Sequence, residues 1–143
     1  MMWGEGLLIK LSNLGRKGRV YRWMKDFLKE RIIQARIGKK YSSKFGIENG
    51  TPQGSIVSPL IFSIMINDVF MELESGIGFS LFADDVAIWK RGRNVEFIVN
   101  KLQGAIKKIE EWSHKWGFEF SVDKTKTMFF TRKRIGSEVK LEL

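Results

Sequence analysis

The apolar positions along the chain change their period several times, and each change marks an element. Leu7, Leu8, Leu11 and Leu14 recur at helical spacing and stop at Gly15, which predicts a helix over residues 5–14. After the basic turn Arg16-Lys17-Gly18, the stripe of Val20, Trp23, Met24, Phe27 and Leu28 predicts a helix over 19–30. Residues 32–37 and 41–47 read as two short strands joined through Gly38-Lys39-Lys40, a hairpin turn. Ser58 and Pro59 form an N-cap and first-turn pair that opens a helix reaching about residue 73. From Leu60 through Met65 and Ile66 to Phe70 that helix is apolar nearly all round, so it is expected to be buried, with Gly76 and Gly78 beyond its end. Residues 79–90 read as strand, tight acidic turn, strand. Over 94–116 the stripe Ile98, Leu102, Ala105, Ile109, Trp112, Trp116 steps by three and four. The opposite face carries Lys101, Lys107, Lys108, Glu111 and Lys115, and Gly117 closes the helix. Two further strands are expected at 118–122 and 127–131. No repeat and no linker divides the chain, and helices mixed with antiparallel strands predict an α+β fold.

Composition narrows the chemistry. A chain of 143 residues with 43% hydrophobic content suits one domain with a real core. It has no apolar run long enough to span a bilayer, and its N-terminus lacks the basic-then-apolar order of a signal peptide. The absence of cysteine excludes disulfide-linked partners and thiolate metal sites, and the single histidine, His114, excludes a multi-histidine zinc site. The formal charge of +9 points to a polyanionic partner, most often nucleic acid, although solubility alone would account for it as well. Arg16, Lys17, Arg19, Lys39, Lys40 and Lys44 are candidates for phosphate contact, against the commoner reading of a solvated charged face. Trp112 and Trp116 lie on the apolar stripe and are expected in the core. His114 lies off the stripe and is expected at the surface.

Two short segments carry candidate chemistry. Asp84 and Asp85 sit between the apolar runs Phe79-Ser80-Leu81-Phe82 and Val86-Ala87-Ile88-Trp89. Adjacent carboxylates repel, and apolar strands are expected to screen them poorly, so a divalent cation would offset the cost. Two such cations about 4 Å apart can drive phosphoryl transfer. Ala83 leaves room beside the carboxylates for a strand end. A solvated hairpin turn, where Asp is common, is the commoner reading of Asp-Asp taken in isolation. In Thr51-Pro52-Gln53-Gly54-Ser55, Pro52 stiffens the entry, Gly54 lets a ligand or backbone approach, and Gln53 both donates and accepts. With a helix start following, the turn would suit a nucleotide or base pair; a loop that merely caps a core helix is the commoner reading of such a turn alone.

Taken together, these segments resemble a known family. The run Gly50-Thr51-Pro52-Gln53-Gly54-Ser55-Ile56-Val57-Ser58-Pro59-Leu60-Ile61-Phe62, ending in Ile66-Asn67-Asp68, resembles the B motif of reverse transcriptases. Phe82-Ala83-Asp84-Asp85 resembles their C motif, and Gly117-Phe118-Glu119-Phe120-Ser121-Val122-Asp123-Lys124-Thr125-Lys126 their D motif. The three occur in the family's order, and the Ile-Asn-Asp and Phe-Ala-Asp-Asp forms are most similar to the non-LTR (LINE-type) retrotransposon enzymes. The resemblance implies a polymerase palm: an antiparallel sheet with the acidic hairpin packed on helices. It implies an RNA template, a DNA primer, deoxynucleoside triphosphates and Mg²⁺, with Mn²⁺ able to substitute. By carry-over Asp84 is the main metal ligand and Asp85 its neighbour. Pro52, Gln53, Gly54 and Ala83 line the template and nucleotide pocket, and Lys124 lies near the triphosphate. The family's A motif, fingers, E motif and thumb have no counterpart in these residues, so residues 1–143 are expected to be a partial domain, inactive alone. A decayed nucleic-acid-binding remnant and an RNA-directed RNA polymerase palm are the rival readings. A nuclear location follows only by analogy with LINE-type elements.

Overall fold

The structure, a computed structural model, describes residues 3–47, 49–52, 54–132 and 141. Contacts gather the chain into two compact units, Met1–Asn67 and Asp68–Leu143.

In the first unit, helix α1 (Gly4–Asn13) packs against α2 (Arg19–Leu28) and α3 (Ser58–Ile66). The leucine spacing puts Leu7 and Leu11 on one face of α1, and both are buried together with Met24, Ile61 and Met65. Lys10 lies on that buried face at 4% exposure, and its ammonium donates to the Met65 carbonyl. A long apolar stem thus packs in the core while its charge satisfies one of the carbonyls that a helix end leaves open. The α1 helix closes at Gly15, which takes φ +71.

The expected hairpin forms, in two pieces. Strand β1 (Arg31–Ile33) pairs with β4 (Phe45–Ile47), and β2 (Arg36–Ile37) pairs with β3 (Lys40–Tyr41) across the Gly38-Lys39 turn. Between them the Ser42 hydroxyl accepts from the Ala35 amide at 3.0 Å, and the Gln34 amide group donates to the Ser42 carbonyl at 2.7 Å. Side chains there supplement a single backbone bond, from the Ser42 amide to the Ala35 carbonyl at 2.9 Å, as short polar residues often do.

Helix α3 departs from expectation twice. Val57, not Ser58, occupies the N-cap; Ser58 is already helical and its hydroxyl donates to the Pro52 carbonyl at 2.7 Å. The helix ends at Ile66 rather than near residue 73, and it buries one face only: Ile61, Met65 and Ile66 are inside while Leu60 is 58% exposed.

The second unit begins with turns over 67–72 held by i to i+3 bonds, such as Met71 N–H to the Asp68 carbonyl at 3.1 Å. Strands β5 (Gly78–Phe82) and β6 (Asp85–Trp89) form an antiparallel hairpin. Gly78 faces Trp89 so closely that a Cβ there would lie 2.3 Å from the indole, and the Phe79 ring stacks on Phe70 at 4.4 Å. Helix α4 (Val95–Trp116) carries its own start and stop. The Asn94 side chain accepts from the Phe97 amide at 3.0 Å, and Gly117 turns left-handed at φ 71 while the Phe118 amide bonds the Ser113 carbonyl at 2.9 Å. Trp112 and Trp116 are buried and His114 is exposed, as the stripe predicts. The Trp112 indole N–H donates to the Asp68 carboxylate at 2.9 Å.

The strands expected at 118–122 and 127–131 do not form. Residues 122–124 make a turn, with the Thr125 amide bonding the Ser121 and Val122 carbonyls at 3.1 Å. Without strand pairing beside β6, an apolar hollow of about 1560 Å³ opens between β6, α4 and this segment, walled by Ile88, Ile98, Leu102, Ile109 and Phe129. The coarse α+β class holds, but the sheet consists of separate two-stranded ribbons among the described residues.

Candidate functional site

The acidic hairpin is as tight as a hairpin can be. Phe82 pairs with Asp85, so Ala83 and Asp84 alone make the loop. Two-residue loops that suit the twist of paired strands need positive φ at their first position, and Ala83 takes φ +51. Positive φ strains a residue with a Cβ by roughly 1–2 kcal/mol, and such strain tends to persist where geometry serves a function. Glycine would relieve that strain but loses about 0.4–1 kcal/mol through the freer unfolded chain. Ala83→Gly is therefore expected to stabilise the protein by up to about 1 kcal/mol, read as a higher denaturant midpoint; a lower midpoint would refute the strain.

Both carboxylates are exposed to solvent, and neither the Asp84 nor the Asp85 side chain takes a hydrogen bond or ion pair among the described residues. The expected poor screening by apolar strands is thus corrected: water reaches the turn, so repulsion alone does not require a cation there. What the turn does offer is two adjacent hard-oxygen donors at the end of a paired ribbon, with their lone pairs unspent among the described residues. No group of three side chains able to hold a metal occurs among the described residues.

Lys124 belongs to the same unit, in the exposed turn 122–124, and no hydrogen bond or ion pair ties it to either aspartate among the described residues. Pro52 and Gly54 belong to the first unit. The Pro52 carbonyl accepts both from the Ser58 hydroxyl and from the Ser55 amide, the latter at 3.2 Å, which fixes the turn on the start of α3. Gly54 takes φ +84 with nothing within 4 Å of where a Cβ would sit, so the turn presents open backbone. Gln53 lies outside the described residues.

Sequence reasoning missed Asp68. Named there only as the end of a motif, it proves to be the residue that anchors Trp112 of α4. An Asp after an apolar helix, with a Trp on a distant stripe, gives no local signal of that bond.

The profile of the reverse transcriptase (RNA-dependent DNA polymerase) family matches residues 2–139. Among curated proteins, the RNA-directed DNA polymerase from mobile element jockey of Drosophila melanogaster is 26% identical over 142 residues, covering 95% of this chain and 15% of the relative. The Drosophila funebris protein of the same name is 28% identical over 137 residues, with 91% and 15% covered. The retrovirus-related Pol polyprotein from type-1 retrotransposable element R1 2 of Nasonia vitripennis is 36% identical over 89 residues, with 62% and 22% covered. The chain therefore spans about 15% of the length of the jockey proteins. The likeness to non-LTR retrotransposon enzymes drawn from the three motifs stands.

Proposed function

The chain belongs to the reverse transcriptase (RNA-dependent DNA polymerase) family, and from that premise we propose that it is the part of an RNA-directed DNA polymerase palm that presents the acidic turn and the Pro-Gln-Gly turn. The observation that carries this reading is the two-residue loop at Ala83-Asp84, which holds two carboxylates in solvent with no partner among the described residues.

Asp84 and Asp85 fit a site for Mg²⁺ or Mn²⁺ as a partial ligand set. Bound there, divalent cations supply activation of the primer hydroxyl and stabilisation of the leaving oxygen. The protein's own residues do the rest. Asp84 supplies the main ligand oxygens and Asp85 adds to the local negative charge. Pro52, Gln53 and Gly54 line the template and incoming deoxynucleoside triphosphate, and the Pro52 carbonyl is held by the Ser55 amide and the Ser58 hydroxyl. Lys124 sits by the triphosphate and protonates the departing pyrophosphate.

Residues 1–143 by themselves are proposed to be inactive, because two aspartates are too few for a two-metal site and no third ligand groups with them among the described residues. The test is primer extension on an RNA template with deoxynucleoside triphosphates and Mg²⁺, comparing this chain with a longer protein that contains it. Extension by the longer protein alone is the expected result. Extension by the 143-residue chain would overturn the incomplete-site account, and incorporation of ribonucleotides only would overturn the DNA polymerase reading.

A further inference from the structure

The charge of this chain is not spread along it. Of its 25 Lys and Arg residues, eleven fall within residues 16–47, where Asp26 and Glu30 are the only acids. That segment therefore carries the whole net charge of +9, and the other residues balance to zero. Within it, the hairpin of residues 31–47 holds Arg31, Arg36, Lys39, Lys40 and Lys44 and no acidic residue at all.

The same hairpin leaves its large side chains in water. Ile37 is 84% exposed, Tyr41 60% and Phe45 57%. A two-stranded ribbon of that kind is marginal alone in water. The side chains of Lys39, Lys40 and Lys44 make no hydrogen bond or ion pair among the described residues, while the Arg36 guanidinium lies 5.6 Å over the Tyr41 ring. Unpaired cations interleaved with exposed rings suit a single strand of nucleic acid: phosphates meet the cations and unstacked bases stack on the rings. A duplex would leave the rings without use, because its bases are already stacked on each other.

We propose that residues 31–47 form a binding arm for single-stranded nucleic acid, with Lys39, Lys40 and Lys44 on the phosphates and Tyr41 and Phe45 stacking bases. Only the identity of the strand rests on the polymerase reading above: in such an enzyme it is template not yet copied. The arm's affinity is non-specific in sequence and strongly salt-dependent.

The test is fluorescence anisotropy of a labelled single-stranded RNA against the 143-residue chain, across a salt series and without divalent cations. Replacing Lys39, Lys40 and Lys44 together by Ala is expected to lower the slope of log affinity against log salt by about 2. Tyr41→Ala with Phe45→Ala is expected to weaken binding at least about tenfold at unchanged slope. A control triple of Arg91→Ala, Arg93→Ala and Lys107→Ala removes the same charge elsewhere and is expected to leave the slope in place. An equal drop in slope for the control, no RNA binding at all, or heparin binding as tight as RNA with the aromatic variant silent would each overturn the arm. Catalysis takes no part in the measurement, so these failures leave the polymerase reading standing, and a polymerase failure leaves the arm standing.

Discussion

Replacing Asp84 by Ala in a polymerase that contains this segment is expected to cut primer extension by at least about a thousandfold, with the fold unchanged. Metal-borne charge stabilisation is worth several kcal/mol at the transition state, and each 1.4 kcal/mol or so is a factor of ten in rate. The fold should survive because Asp84 is an exposed loop residue with no internal partner among the described residues and without the positive φ that Ala83 carries. A surface change of that kind shifts stability by no more than about 0.5 kcal/mol. Asp85→Ala should cost less activity, since Asp85 is proposed to add charge rather than the main ligand oxygens. The check is single-turnover extension beside a denaturation curve. Retained extension in Asp84→Ala would remove the metal-ligand role, and a collapsed denaturation midpoint would show the turn to be structural.

The second large effect belongs to Trp112. The residue is buried, hydrogen-bonded to Asp68 at 2.9 Å and set against Phe118 with ring centroids 5.1 Å apart. Trp112→Ala should destabilise the protein by about 3–5 kcal/mol, through lost transfer energy and the cavity left behind. That is a large part of the roughly 5–15 kcal/mol that a whole domain commonly has. Trp112→Phe keeps one ring in the core but loses the indole donor and the volume of the second ring, so it should cost less, about 1–3 kcal/mol. Urea denaturation of the pair measures how much of the loss a ring in the core recovers. Equal losses for both variants would mean that the retained ring contributes nothing to holding α4 in place.

What the sequence made legible follows from how local each signal is. Helix α4 is written entirely within residues 94–117: an Asn that caps, a stripe stepping by three and four, and a glycine that turns left-handed. A tight acidic turn between two strands was legible for the same reason, because hairpin turns are fixed by their own few residues, but Asp85, expected in the turn, opens β6 instead. The failures are nonlocal. The alternation of Phe118, Phe120 and Val122 suits a strand, but a strand needs a partner, and none pairs with this segment among the described residues. The end of α3 depends on more than its own apolar run: beyond Ile66, Asp68 is engaged by a tryptophan 44 positions away. The break in the first hairpin turns on the Ser42 hydroxyl, whose choice of the Ala35 amide no strand propensity encodes.

The self-contained ends of α4 also bear on how the second unit assembles in time. A helix of 22 residues with both caps in its own sequence needs no distant contact to begin, and helices of that length equilibrate in about a microsecond or less. The β5–β6 hairpin closes in roughly 1–10 μs and is marginal until something covers it. The bond from Trp112 to Asp68 and the contacts of Lys101 and Lys108 with Glu74 and Glu72 all join α4 to residues that precede the hairpin. As the chain leaves the ribosome, residues 68–74 are therefore made before the helix that bonds them, and those bonds form only once α4 has emerged.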